Sequence, residues 1–275
     1  MRRICNRFLE YIIIFARKTF SPMKRKFFAL AAASVALSAC RAPLAVADVH
    51  TQKNIAITAE LEDEPRVSAT IEPYRNTMEK QMNERISHTA MDLTKTGDNS
   101  NLGALLADYT LESAKRWAKQ NGIAEPDAAI INIGGIRSTI GRGEILLRHI
   151  YEVMPFENEL VLVKIKGKDI GELFHYYETT EKNNPVSQLY IETDSGRLTN
   201  YLIRGAAPSP EKTYIIATSD YLALGGDNMD FFGKGEMIST GLKLRDAFVE
   251  MFRENPEITA PSDIRLNFKN KKTGR

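Results

Sequence analysis

Apolar positions along the chain follow two different periods. Ala128 to Ile133 is a continuous apolar run, and Tyr214 to Ser219 is another, as strands buried on both faces require. Glu159 to Lys166 alternates and reads as a strand. Helical spacing predicts a helix over Tyr74–Met91. It predicts a second over Leu102–Asn121, where Leu102, Leu105, Leu106, Tyr109 and Ala114 share one face. Asn99, Ser100 and Asn101 offer N-caps for that helix, and Gly122 ends it. Leu146–Val153 reads as a short helix ending before Pro155, and Lys168–Glu181 as a longer one. Gln188–Thr193 and Leu198–Ile203 flank an Asp194-Ser195-Gly196 turn and predict a hairpin. Ser239 or Thr240 is expected to cap a final amphipathic helix running to Asn255, with Ile264–Phe268 as a closing strand. Strands and helices without strict alternation predict an α+β or mixed α/β fold, a mixed sheet with packed helices. No internal repeat is visible.

The first forty residues have a different character. Met23-Lys24-Arg25-Lys26 is basic, Phe27 to Val35 is apolar, and Leu37-Ser38-Ala39-Cys40 is a small-residue cleavage site. That order reads as a secretory signal, too short to span a bilayer as a mature helix. The cysteine ending resembles a bacterial lipobox, which implies cleavage after Ala39 and lipidation of Cys40. Residues 1–22 carry a second apolar run, Tyr11 to Ala16. Either Met23 is the true start, or the signal has a long basic leader. The expected organisation is a signal at 1–39, a tether at 40–65, a folded domain at 66–269 and a basic tail at 270–275. The expected location is the cell envelope, periplasmic side or outer membrane, with membrane contact through the lipid alone.

Charge changes meaning once this leader is set aside. The whole chain of 275 residues has 37 Lys and Arg against 35 Asp and Glu, a net +2. Removing residues 1–39 takes away eight of the former and one of the latter, so the remaining chain carries −5. The basicity therefore argues for no nucleic-acid partner, which would need a clustered basic face on the folded domain. The two cysteines, Cys5 and Cys40, supply no disulfide framework, so apolar burial must hold the fold.

Two glycine turns follow the two apolar runs. The first is Asn132-Ile133-Gly134-Gly135-Ile136-Arg137, the second Tyr221-Leu222-Ala223-Leu224-Gly225-Gly226-Asp227-Asn228. Between them lies Met154-Pro155-Phe156-Glu157-Asn158. Taken singly, each has a plain structural reading: a hairpin turn, a core phenylalanine, a surface arginine. Taken together, they hold what a nucleoside needs. Aromatic rings stack on a base, a carboxylate accepts from adjacent ribose hydroxyls, and a guanidinium forks onto phosphate.

These segments resemble the C-terminal domain of the bacterial 5′-nucleotidase family, with its Asn-Gly-Gly-Gly-Ile-Arg turn, Pro-Phe-Gly-Asn segment and Phe-x-x-x-Gly-Gly-Asp turn. Ser100-Asn101-Leu102-Gly103 is similar to the family's Asn-Leu-Gly helix start. The resemblance runs from about Val67 to Phe268. It implies that Phe156 and Tyr221 sandwich the base and that Asp227 holds the ribose. It implies that Asn132 meets a base edge, that Arg137 faces the sugar–phosphate, and that Gly134, Gly135, Asn158, Gly225 and Gly226 line the site. The chain departs from the pattern at Ile133, Glu157 and Tyr221, and Thr96-Gly97-Asp98-Asn99 lacks an arginine that many members carry. Glu157 and the missing arginine predict weak phosphate recognition, favouring nucleoside or another aromatic ligand over nucleotide.

The family hydrolyses phosphoesters with two metals, held by Asp-x-His, Asn-His-Asp or Asn-His-Glu, and His-x-His motifs. None of His50, His88, His149 and His175 sits in such a motif; His88 and His175 fall in predicted helices. No cofactor or catalytic residue is expected in this chain, and Ser219-Asp220 has no placed histidine. The expectation is the substrate-binding half of a split 5′-nucleotidase, inactive alone, with divalent metals on a partner metallophosphoesterase. The alternatives are a non-catalytic nucleoside-binding envelope lipoprotein and a degenerate interaction module.

Overall fold

The computed structural model describes residues 64–271, together with single positions at 51, 54, 56 and 58. The expected signal, Cys40, His50, most of the tether and the last four residues lie outside the described residues.

Pro65 opens the first helix, α1 (Pro65–Met82), with the Glu64 side chain accepting from the Arg66 amide at 3.4 Å. The helix runs through Pro73 and stops at Asn83. The expected helix over Tyr74–Met91 is therefore displaced. Its second half is a strand, β1 (Arg85–Thr89), whose inward residues Ile86, Ser87 and Thr89 are buried. Next come α2 (Asn101–Gln120), β2 (Ala128–Ile130), β3 (Gly143–Leu146) and α3 (Leu147–Val153). β1 and β3 pair antiparallel, a partnership across more than fifty residues that local periodicity does not encode. The chain continues through β4 (Glu159–Lys166), α4 (Gly171–Thr180), β5 (Val186–Ser187), β6 (Leu189–Asp194) and β7 (Arg197–Ile203). It closes with β8 (Thr213–Ser219), α5 (Asp220–Ala223), β9 (Glu236–Lys243), α6 (Leu244–Glu254) and β10 (Leu266–Lys269).

The central sheet has the order β5-β2-β8-β4-β9, with β2 and β8 parallel and the remaining pairs antiparallel. The architecture is mixed α/β. Alternation along the strands splits the interior in two. Ala129, Leu160, Leu162, Ile215 and Ala217 pack with α2 and α6 on one face. Ala128, Ile130, Val161, Val163, Ile165 and Ile216 pack with Phe174 and Tyr177 of α4 on the other. A three-stranded sheet, β10-β6-β7, lies on that second side through Leu189, Ile191 and Leu266. Its hairpin turns through Ser195 and Gly196, both at positive φ (53° and 75°), the paired conformation that two-residue hairpin loops favour.

The final helix is also displaced. Residues 236–243 form β9, paired with β4 along Leu162↔Ile238 and Val163↔Met237, and α6 begins only at Leu244. The hydroxyls of Ser239 and Thr240 do not cap it. Thr240 donates to the Leu160 carbonyl at 2.5 Å, and Ser239 to the Glu159 carboxylate at 2.5 Å. Among the described residues no helix is long and apolar enough to cross a membrane.

Candidate functional site

Topology brings the three sequence segments together. β2 and β8 are parallel neighbours in register Ala128↔Ile216, so the chain leaves both at the same edge of the sheet. The first glycine turn follows β2 and the second follows β8. β4 is antiparallel to β8, with Leu160 opposite Ser219, so it starts where β8 ends. Phe156 lies just before β4. The three segments therefore occupy adjacent positions beyond one edge of the central sheet, where open α/β sheets place ligands. The hydroxyl of Thr218 donates to the Ile130 carbonyl at 2.8 Å and ties the two strand ends together.

The second turn is held by its own residues. Ser219 caps α5 by accepting the Leu222 amide at 3.2 Å. The Tyr221 hydroxyl donates to Asp227 Oδ1 at 3.1 Å, and the Asp227 amide donates back to it at 3.2 Å. Gly225 sits at φ 93°, and Asp227 and Asn228 follow at 55° and 64°. Gly225 thus leads, in the left-handed region, into a 3₁₀ turn at Gly226–Asn228 rather than a hairpin. At Gly226 a Cβ would fall 2.5 Å from the Tyr221 carbonyl and 2.6 Å from its ring, so glycine is required for the tyrosine to fold over the turn. The ring remains 44% exposed.

The first turn is held from outside. Ile133–Gly135 form a 3₁₀ turn, and Gly134 and Gly135 need no positive φ. Asn184 is fully buried. Its Oδ1 accepts the Ile133 amide at 3.0 Å, and its Nδ2 donates to the Tyr176 hydroxyl at 3.0 Å. The Tyr177 hydroxyl donates to the Asn184 carbonyl at 3.0 Å. Lys95 Nζ donates to the Ile136 carbonyl at 2.7 Å. Arg137 is exposed; its guanidinium donates to the Gly134 carbonyl at 3.1 Å and its amide to Val153 at 2.8 Å. This last bond joins the first turn to the end of α3, just before the Phe156 segment. Asn132 is half-buried beside Gly135, whose Cβ position lies 2.9 Å from Asn132 Oδ1.

Tyr176 connects the two turns electrically. Burial pushes its phenol up to about 12, and the negative charge of Asp227 adds to the effect, with Tyr221 contributing less. A neutral hydroxyl therefore stands within the field of the second turn while accepting a bond from the residue that holds the first. Lys182 Nζ lies 3.9 Å from Asp227 Oδ2 and partly offsets that carboxylate.

Phe156 is 42% exposed, presenting its ring on the same edge. Glu157 does not stand there as an uncompensated negative charge: its carboxylate pairs with Arg245 of α6. Asn158 is anchored through its carbonyl, which accepts the Leu244 amide at 2.9 Å. The Phe156 segment therefore carries a paired carboxylate, and Lys95 and Lys182 stand beside the first and second turns as cations that the sequence reading did not count.

The histidines have structural partners. His88 lies in β1, not in a helix, and pairs with Glu257 at 2.8 Å; His175 of α4 pairs with Glu178 at 3.0 Å. His149 Nδ1 accepts the Leu146 amide at 3.1 Å, and burial lowers its pKa. Among the described residues no group of three or more His, Cys, Asp or Glu is placed to hold a metal ion.

Tyr176, Asn184 and Arg245, like Lys95 and Lys182, are site residues that sequence reasoning missed. Tyr176 and Arg245 fall inside expected helices and Asn184 between expected elements. Asn184 reaches the first turn from 51 residues away and Arg245 the Phe156 segment from 88, and no spacing rule links them.

Comparison with known proteins bears on the fold as a whole. The family model for the 5′-nucleotidase, C-terminal domain matches residues 79–234. A trifunctional nucleotide phosphoesterase of Bacillus subtilis is 27% identical over 215 residues, which cover 67% of this chain and 14% of that protein. A 5′-nucleotidase of Vibrio vulnificus is 24% identical, over 75% of this chain and 37% of the relative. The crystal structure of a 5′-nucleotidase precursor from Thermus thermophilus superposes with a TM-score of 0.63 at 25% identity, covering 75% of this chain and 44% of that one. The chain thus spans less than half the length of each of these proteins.

Proposed function

This chain belongs to the family of 5′-nucleotidase C-terminal domains, and from that premise we propose that it is the substrate-binding half of a split 5′-nucleotidase. It binds a nucleoside or nucleotide at the edge formed by its two glycine turns. A separate metallophosphoesterase supplies the divalent metals and cleaves the phosphoester. The observation that carries this reading is the placement of Phe156, Tyr221 and Asp227 next to adjacent strand ends, two exposed rings of which one is hydrogen-bonded to the carboxylate. Phe156 and Tyr221 stack on the base from its two sides. Asp227, its Oδ1 already accepting from Tyr221, has Oδ2 beside Lys182 and accepts from the ribose hydroxyls. Arg137 lies on the exposed rim and faces the sugar–phosphate. Asn132 meets the base edge. Gly134, Gly135, Gly225 and Gly226 keep the backbone low enough for the ligand to approach, with Asn158 at the rim.

Export as a lipoprotein through Cys40 places this binding half at the cell envelope, where extracellular nucleotides are met. The likeness to a structure named a 5′-nucleotidase precursor supports that placement.

Two measurements test the reading. Calorimetric titration with adenosine and AMP is expected to show saturable binding that Phe156→Ala abolishes or weakens by roughly tenfold or more. A phosphatase assay with Mn²⁺ is expected to show no turnover by this chain alone and turnover with a metallophosphoesterase partner. Robust hydrolysis by the chain alone overturns the division of labour. Binding without turnover in any combination leaves nucleoside capture as the function, and absence of binding to both ligands overturns the site itself.

A further inference from the structure

Three consecutive residues where β9 passes into α6 grip the residues on either side of Phe156. The Leu244 amide donates to the Asn158 carbonyl at 2.9 Å, and Lys243 Nζ donates to the Glu157 carbonyl at 2.9 Å. Arg245 makes the third connection with a fork. Its Nη1 donates to the Pro155 carbonyl at 3.3 Å, and its Nη2 pairs with the Glu157 carboxylate. One guanidinium thus spans Phe156 from the residue before it to the residue after it. The same group lies over the Tyr151 ring, 4.4 Å from its centroid, which fixes the plane of the fork from below.

Arg245 is an expensive way to hold a loop. The residue is only 8% exposed, and its Nε is buried with no partner among the described residues. A buried donor left unmade costs stability, and an apolar side chain of similar volume would fill the space without that cost. Its carboxylate partner is 66% exposed at the side chain, so the pair gains little from burial on that side. What the guanidinium provides that a methionine or a lysine cannot is two donors at a set angle, one for each flank of Phe156.

We propose that Arg245 is the positioning residue for Phe156, setting the loop so that the ring meets a flat aromatic base with its face. The inference rests on the reading of Phe156 as a base-stacking ring. Arg245 makes no contact with the ligand itself and acts through the loop.

A double-mutant cycle on the full chain tests this, with adenosine as the probe and calorimetric Kd as the readout. Phe156→Ala is expected to weaken binding roughly tenfold or more. Arg245→Met is expected to weaken it about fivefold when Phe156 is present and less than about twofold when Phe156 is already alanine. Arg245→Lys, which keeps charge but loses the fork, is expected to fall between Arg245→Met and the unsubstituted chain. Glu157→Ala keeps the test open if the arginine variants fail to fold: it removes the acceptor from the exposed side of the fork and should show the same dependence on Phe156. An equal loss in both backgrounds, or no loss in either, overturns the inference and leaves the base clamp standing. Unchanged adenosine affinity in Phe156→Ala overturns the clamp and the inference with it.

Discussion

The two glycine turns look alike in sequence and are built on opposite principles. The second holds itself. Tyr221 and Asp227 exchange two hydrogen bonds across six residues, and four consecutive positions carry the positive-φ or close-packed backbone that this fold-back needs. The first has no unusual backbone and depends on residues far along the chain: Lys95, Val153 and above all Asn184. A turn of the second kind carries its shape wherever it is placed. A turn of the first kind exists only inside this tertiary structure. A ligand site made from one of each has a preformed wall and a wall whose position the rest of the domain sets. Asn184 and Tyr176 join them, through the Ile133 amide on one side and the field of Asp227 on the other.

The largest test of that contrast is Asn184→Ala. It strips a partner from the Ile133 amide and from the Tyr176 hydroxyl inside a fully buried site. The expected loss is about 3 kcal/mol of stability in chemical denaturation, with adenosine affinity falling as the first turn moves. A loss below about 1 kcal/mol would show that the first turn stands without its external support.

Gly226→Ala attacks the self-held turn instead. Its new methyl overlaps the Tyr221 carbonyl, which cannot swing away as a ring can. Stability is expected to fall by about 2 kcal/mol. The larger effect falls on binding, because the displaced ring no longer stacks, with roughly a tenfold loss of adenosine affinity. Equal thermal midpoints and equal Kd for variant and parent would remove the close-approach argument.

Tyr221→Phe separates ring from hydroxyl. It keeps the stacking face and deletes both bonds to Asp227. Because the pair is partly exposed, the stability change is expected to stay under about 1 kcal/mol. Adenosine affinity is expected to change by less than about fivefold, since the ring that stacks is retained.

The smallest effect is on pH dependence. Tyr176, its phenol pushed up to about 12 by burial and then by Asp227, contributes stability that is fully present below the ordinary tyrosine pKa of about 10. Above that value the unfolded chain ionises first, so the contribution is lost as pH rises toward about 12. Denaturation midpoints between pH 9 and 11 should therefore fall less steeply in Tyr176→Phe than in the parent. Parallel curves would place Tyr176 in an ordinary, solvated environment.

Much of this was legible before any coordinates. β4 occupies Glu159–Lys166 as its alternation indicates, and α2 occupies Asn101–Gln120 with its stop at Gly122. The hairpin around Ser195-Gly196 stands where turn chemistry placed it. These elements are dictated locally, by period and by backbone preference. β1 and β9 were hidden inside expected helices because a strand at the margin of a sheet is made by its neighbour. Arg85–Thr89 and Glu236–Lys243 have no strong period of their own and take their form from β3 and β4.

The candidate site divides along the same line. The sequence by itself determined which chemical groups the edge can offer, because Phe156, Tyr221, Asp227 and Arg137 lie in short contiguous motifs whose glycines and spacing are local properties. Only the tertiary structure decided how those groups stand and what charge surrounds them. Glu157 reads as a lone carboxylate along the chain and is neutralised by Arg245, 88 residues away. The first turn reads as free and is held by Asn184, 51 residues on. Backbone preference and side-chain identity act over a few residues and are written in order. Hydrogen bonds and ion pairs act through space, and sequence separation places no limit on which residues they join.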